Sequence, residues 1–442
     1  MEYKLITERL HLFAPNIHIC FAVEFGHVLD AQALREAIKK VMHKHPVLRS
    51  SIHFDENGNA FFHINEDAEP IITLEEMTDE GWIPIVAREQ RKPFVLDSAP
   101  LIRFTYLRGE NRMQMVMCLH HILADGVSCV SILKDFMFFI RNPHQAAQAQ
   151  EVRLLEDSRL YDGEKLSGLP KLLVNNLNRQ WRKSPRVFTE DEYYLMRQNY
   201  WVRRSHTIGT AELSSEIVSE LAVKYREHNV TINSLLLSSL LKEAYETDNR
   251  NKKAGVAVSV HSGENSFGNY ASAISVDYVY DARKSIWENA FIIQGIVKRK
   301  LNGIKTRHFF LTFLKMLDAG LIDSMYFSLF GNYDGKAAKK LRKILGYNEI
   351  PFGLATTNLG KTGLSVKDGI KSTYFIPPLV ANTDKIVGIV TTDSGLRIVY
   401  QYSDQVNVEK NKRIFNGWIS NLQALKKAEP ALNLFGGLNN GL

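Results

Sequence analysis

Cysteine is scarce in this chain: Cys20, Cys118 and Cys129 are the only three in 442 residues. An odd, sparse set without paired spacing excludes a disulfide framework and fits a reducing compartment. No window of about 18 uncharged apolar residues occurs, so no membrane-spanning helix is expected. Met1-Glu2-Tyr3-Lys4-Leu5 lacks the basic-then-apolar pattern of a secretory leader, and the expected address is the cytoplasm. Short-period repeats and low-complexity tracts are missing too. Acidic residues are outnumbered, giving a net charge of +7. The basic pieces, Lys39-Lys40, Arg182-Lys183, Lys298-Arg299-Lys300 and Lys339-Lys340, are scattered. They do not form a stripe interleaved with aromatics, which argues against nucleic acid as a partner. The charge suits phosphorylated ligands, an acidic carrier protein or an anionic surface, and equally well a plain solvated exterior.

What is present is an ordinary globular composition, 45% hydrophobic and 23% charged. Single cores stop growing at roughly 250–300 residues, so two lobes are expected. The first is assigned to 1–165, a crossover to 166–210 and the second lobe to 211–442. Ile17, Ile19, Phe21, Val23 and Phe25 alternate with His18, Cys20, Ala22 and Glu24, the period of a half-buried strand. Asp30 caps a helix ending at His45-Pro46. Hairpins are expected over 48–62 and 101–119. Val127, Val130, Leu133, Phe136, Met137 and Ile140 give a helix from Gly126 its apolar face. Between 141 and 210 the signal weakens into polar residues and Gly168-Leu169-Pro170. Beyond it come helices near 214–227 and 234–245, a strand at 255–260, a hairpin over 386–402 and a last helix over about 408–425. Strands and helices recur in both halves, which points to an α/β class with mixed sheets.

The chemistry concentrates in His120-His121-Ile122-Leu123-Ala124-Asp125-Gly126, between a strand and a helix. Imidazole is the side chain whose ordinary pKa suits proton abstraction near neutral pH. A nearby carboxylate can fix the loop or a histidine tautomer, and Gly126 allows a tight turn and a close substrate. A zinc site lacks further His or Cys at ligand spacing, so no metal is expected. Two adjacent histidines alone would more often be satisfied turn residues.

The run resembles the HHxxxDG signature of the superfamily that holds chloramphenicol acetyltransferases, plant acyl-CoA-dependent acyltransferases, polyketide-associated acyltransferases and condensation domains of nonribosomal peptide synthetases. The likeness extends along the chain. Leu29-Asp30 through His45-Pro46-Val47-Leu48-Arg49 looks like the family's first helix and HPxLR ending. Val230 to Leu236, Phe267-Gly268-Asn269-Tyr270 and Thr357-Asn358-Leu359-Gly360 look like later landmarks, in the family's order. The resemblance implies two chloramphenicol-acetyltransferase-like lobes in a V with a tunnel between them. It implies His121 as the catalytic base, His120 and Asp125 in structural roles (Asp125 through an ion pair), and Gly126 leaving room at the carbonyl. Asn358, Gly360 and Gly268 would lie near the substrate. The donor would be acyl-CoA or an acyl or peptidyl carrier protein, the acyl-CoA or phosphopantetheine thioester being a cosubstrate with no bound cofactor. The acceptor would be a small-molecule alcohol or amine, and the enzyme a monomer without stable membrane insertion. A stand-alone condensation enzyme acting in trans, making an amide or ester, and a catalytically silent carrier-binding relative are the alternatives.

There are departures from the pattern. The DFGWG run of plant acyltransferases is absent, with Asn358-Leu359-Gly360 in its neighbourhood. Asp277 stands where condensation domains often carry Arg. Cys118 and Cys129 flank the motif as conceivable nucleophiles, although small buried cysteine is the commoner outcome. Phe309 to Phe330 reads as core packing, with an acyl channel or membrane face as rivals. His18, His45, His53 and His261 have no partner pattern and read as structural.

Overall fold

The computed structural model describes residues 2–154, 165–248, 253–260, 267–303, 308–351, 353–405 and 407–425. In chain order it begins with β1 (Glu2–Lys4), a single helical turn α1 (Arg9–Leu12), β2 (His18–Phe25), α2 (Ala31–Lys44), β3 (Ser50–Phe54), β4 (Ala60–Ile64) and β5 (Ile71–Glu76). Then follow α3 (Ile83–Arg91), β6 (Ile102–Arg108), β7 (Met113–His120), α4 (Gly126–Arg141), α5 (Gly168–Trp181), α6 (Glu190–Arg203), β8 (His206–Ser214), α7 (Ser215–Glu227) and α8 (Ile232–Asp248). The remainder is β9 (Lys253–Ser259), β10 (Ala271–Asp277), α9 (Ile286–Asn302), α10 (Phe309–Lys315), α11 (Ala319–Phe330), α12 (Lys336–Ile344), β11 (Leu354–Lys361), β12 (Ile370–Ile376), β13 (Lys385–Thr392), β14 (Gly395–Ser403) and α13 (Val408–Leu425).

Three sheets result: β12-β2-β7-β6-β5, β10-β9-β11-β13-β14-β8 and the small β1-β4-β3. The mixed α/β class and the hairpins β3/β4, β6/β7 and β13/β14 are as the sequence pattern indicates. Side-chain caps start two of the helices, at Asp30 as expected and at Thr231. Asp30 accepts the amide of Ala33 at 2.9 Å, and Thr231 accepts that of Ser234 at 3.2 Å.

Two differences have physical causes. β2 is buried along nearly its whole length, not on one face. It sits inside the sheet with β7 on one side and β12 on the other, so even His18 and Cys20 are sealed. Second, the cores do not divide the chain at the expected 1–165, 166–210 and 211–442. The stretch taken as a crossover folds into α5 and α6, whose Val174, Leu177, Trp181, Tyr193, Met196 and Tyr200 join the first core. Leu314, Leu321, Met325 and Leu341 of α10–α12 join it as well. β12 completes the first sheet, pairing Phe375 with Phe21. An unpaired edge beside an apolar strand is a strong recruiter, and chain distance adds only slowly to its entropic cost. The second core holds α7, α8, α9 and α13 against the six-stranded sheet. The long apolar run from Phe309 is thus largely core, and Phe310, Leu311, Leu314 and Tyr326 also line a cavity. Among the described residues no helix is long and apolar enough to cross a membrane.

Candidate active site

His120 and His121 stand where β7 ends, and their backbones are fixed first. The amide of His120 donates to Leu101 O at 3.0 Å and that of His121 to Ile17 O at 3.2 Å. The strand's alternation then sends the two rings to different places. His120 is fully buried, and its Nδ1 accepts the amide of Ile122 at 3.3 Å. Burial, with Arg197 nearby, holds its pKa down at about 3, so it is neutral and cannot titrate near neutrality.

His121 faces a cavity of about 320 Å³. Its Nδ1 lies 3.1 Å from Ala124 O, which fixes the proton on Nδ1 and leaves Nε2 as the basic nitrogen. Burial lowers the His121 pKa below its ordinary value, partly offset by its backbone hydrogen bonds and the negative charge of Asp125. The ring is therefore a neutral base at neutral pH.

Asp125 caps α4, with Oδ1 accepting the amide of Ser128 at 2.9 Å. Its Oδ2 accepts the amide of Tyr270, 145 positions along the chain, at 3.1 Å. Ser128 Oγ donates to Gly268 O at 2.8 Å, Asp125 N donates to the same carbonyl at 3.1 Å, and Asn269 Nδ2 donates to His121 O at 2.8 Å. The loop bearing the base is thus laced to the 268–270 segment. The carboxylate thus holds two backbone amides, one on each segment. Asp277, at the position expected to hold Arg, lies at the far end of β10. It is exposed and sits 3.6 Å from Lys253 and 3.3 Å from Lys300.

Gly126 lines the cavity, and its missing side chain matters. A Cβ there would lie 2.7 Å from Leu359 Cδ2 and 3.1 Å from Phe375 Cζ. The other glycines and the asparagine are arranged differently from expectation. Gly268 belongs to the lacing and is not among the residues lining this cavity, and neither is Gly360, whose φ of 65° falls where β11 shifts register on β13. Asn358 lines a second cavity, beyond the sheet, and contacts Asn233.

His11 had no distinguishing sequence signal beyond its place in the Arg9-Leu10-His11-Leu12 turn. Its ring stacks on His121, with centroids 4.5 Å apart and planes 17° apart. α1 is pinned by Arg9 Nε on Asp323 Oδ1 at 2.8 Å, both buried, and by Tyr326 Oη on Leu10 O at 2.7 Å. Burial, then the neighbouring His121 and His120, push the His11 pKa well down, so the stack is of neutral rings. The opposite wall is made of small residues: Gly255, Ala257, Ala271, Ala273 and Ala355.

The cysteine alternative fails on geometry. Cys118 and Cys129 are fully buried, and burial pushes the Cys129 thiol well up. His18 Nδ1 is 2.9 Å from Glu89 O and His45 Nε2 is 2.7 Å from Asp135 Oδ2, so both have structural partners. His53 stacks on His63 beside Glu2, a trio of possible metal ligands on the small sheet and outside the cavity lining. His261 lies outside the described residues.

The condensation-domain family model matches residues 10–242. Tyrocidine synthase 2 of Brevibacillus parabrevis is 31% identical over 203 residues, 45% of this chain. The chain spans only 5% of that protein's length. Among solved structures, the EpoB NRPS cyclization-docking bidomain of Sorangium cellulosum aligns over 97% of this chain and 86% of its own, with a TM-score of 0.64 and 15% identity. Polyketide synthase associated protein 5 of Mycobacterium tuberculosis aligns over 97% and 98%, with a TM-score of 0.61 and 13% identity.

Proposed function

The chain belongs to the condensation-domain family, and from that premise we propose that it transfers an acyl group from a phosphopantetheine-type thioester, on a carrier protein or on CoA, to an amine or hydroxyl. His121 is the general base. The acceptor's N–H or O–H gives its proton to Nε2 as the nitrogen or oxygen bonds to the thioester carbonyl carbon. The C–S bond then breaks, and the proton passes to the departing thiolate. Asp125 and Asn269 position the loop, and the 320 Å³ cavity holds the reacting groups.

One observation supports this reading above the others: an imidazole neutral at working pH, its Nδ1 tied to Ala124 O, on the wall of a cavity between two lobes. A merely satisfied turn histidine would not leave its basic nitrogen for a cavity. The test is thiol release from a panel of acyl-CoA and acyl-carrier thioesters, each with amine and alcohol acceptors, by the wild type and His121→Ala. Acceptor-dependent release that the variant loses supports the proposal. Equal release by both proteins with every donor rejects it and leaves a carrier-binding relative.

A further inference from the structure

The six-stranded sheet is split near its middle. β9 and β11 pair in parallel only through Ala254–Leu354, Gly255–Ala355 and Val256–Thr356. Beyond that point each strand keeps its outer partner. β9 stays with β10 as far as Ser259–Ala271, and β11 stays with β13 through Asn358–Ile389. Two strands that diverge while their outer neighbours hold them must leave a slot between them. Ala257 and Thr356 stand at this fork.

Behind the slot, on the face away from His121, is a second cavity of about 250 Å³. Ala257 and Thr356 line both cavities. The second is walled by Leu237 of α8, Ile293 and Val297 of α9, Val258 and Ile389 of the sheet, and Trp418 of α13. Val256 and Val258 are only half-buried although they lie beneath two helices, as side chains facing an unfilled space must be. Gln294 and Trp418 also line it, with Gln294 Oε1 and Trp418 Nε1 buried and unpartnered among the described residues. Well-packed cores keep few voids larger than a water, and an engineered apolar cavity of about 150 Å³ already takes up benzene. This space is larger, apolar along its inner walls, shares Ala257 and Thr356 with the reaction chamber and opens past the exposed Thr231, Asn233 and Lys298, so it has room for a chain.

We propose that this second cavity receives the tail of the acyl donor, so that the enzyme favours long unbranched aliphatic acyl groups over short ones. The proposal rests on the acyl-transfer reading above. The thioester carbonyl would sit at His121, the chain would pass between Ala257 and Thr356, and its end would lie against Val258, Val297 and Trp418. Each methylene moved from water into such a space strengthens binding about fourfold.

Acetyl- and decanoyl-pantetheine are the probes, with affinity measured by calorimetry on the full chain. Decanoyl-pantetheine should bind at least about tenfold more tightly than acetyl-pantetheine. Val297→Phe, which fills the cavity from α9, should remove that difference and leave acetyl binding unchanged. Leu237→Phe does the same from α8 if the first variant folds poorly. A decanoyl-pantetheine bearing a terminal photoreactive diazirine needs no variant at all. It should label peptides from Ile232–Asp248 or Ile286–Asn302. Equal affinity for both probes, or label confined to the first cavity's walls in 309–347, overturns the proposal. Binding and labelling as expected without His121-dependent thiol release would uphold the cavity's role and reject the transfer reading. His121-dependent release indifferent to chain length would do the reverse.

Discussion

On the first-lobe wall of the cavity, the reactive group and the carbonyl that fixes its tautomer lie within His120–Gly126, a single strand end running into a helix. The second-lobe wall is assembled from pieces far apart in the chain: Gly255 and Ala257, then Asn269 to Ala273, then Ala355 to Thr357. One wall supplies chemistry, the other supplies room and a clasp. Chemistry can be local because a base needs only a fixed tautomer and a nitrogen left for substrate. Room cannot be local, because it is an absence of side chains that several strands must agree on.

The largest expected effect separates the walls outright. His121→Ala should lower kcat/KM by about 10² to 10⁴ with a melting temperature close to wild type, since the ring faces a cavity. The neighbouring His120→Ala should invert that pattern. Emptying a sealed site is expected to destabilise the fold by about 1–3 kcal/mol, while the folded enzyme keeps kcat/KM within roughly tenfold of wild type, much less than the span of a lost general base. Thermal melts beside initial rates measure both. If His120→Ala alone abolished turnover in well-folded protein, the assignment of the base would be wrong.

Asp125→Ala bridges the two walls. Losing the α4 cap and orphaning the Tyr270 amide should cost about 1–3 kcal/mol. Because the Asp125 charge raises the His121 pKa, its removal should also move the acid limb of kcat/KM to lower pH. A purely structural role would leave that limb in place.

Asn269→Ala acts from the far wall and should be milder, about 1 kcal/mol of stability with kcat falling more than KM rises as the loop loosens. A kcat left at wild type would mean the clasp does not position the base.

The pH dependence of the wild type needs no substitution. His121 is depressed below its ordinary value, so activity should persist as pH falls past 6.5 and decline only below it. Stability behaves differently. His120, at about 3 in the folded protein, stays unprotonated where the unfolded chain takes up a proton. The unfolded state therefore gains as pH drops from about 6.5 toward about 3. Denaturant melts across that range should show stability falling with pH.

The sequence revealed the local wall far better than the assembled one. The capping role of Asp30 and the late hairpin follow from spacing within a few residues, and the roles given to His121 and Gly126 came from the family resemblance of one seven-residue run. Asp125 was legible as a brace, but its partners were not, since Tyr270 is 145 positions away and donates through its backbone, which no side-chain pattern records. His11 escaped notice because stacking on His121 is a product of packing. β12 read as part of the second half, although the edge it completes belongs to the first sheet. The stretch from 166 to 210 looked like a connector because its helices carry many polar residues around a narrow apolar stripe. Asn358 and Gly360 were identified as landmarks, yet neither is among the residues lining the reaction chamber, and Asn358 lines the cavity behind the sheet, one position along from Thr357, which lines the chamber.

The central claim is that the first-lobe wall presents a neutral imidazole with its proton on Nδ1. Nitrogen-15 NMR of the histidines, with His121 assigned by its loss in His121→Ala, tests this directly. At pH 7 the account requires a neutral ring in the Nδ1–H form, titrating below 6.5. An imidazolium at pH 7, or a proton resident on Nε2, would contradict it.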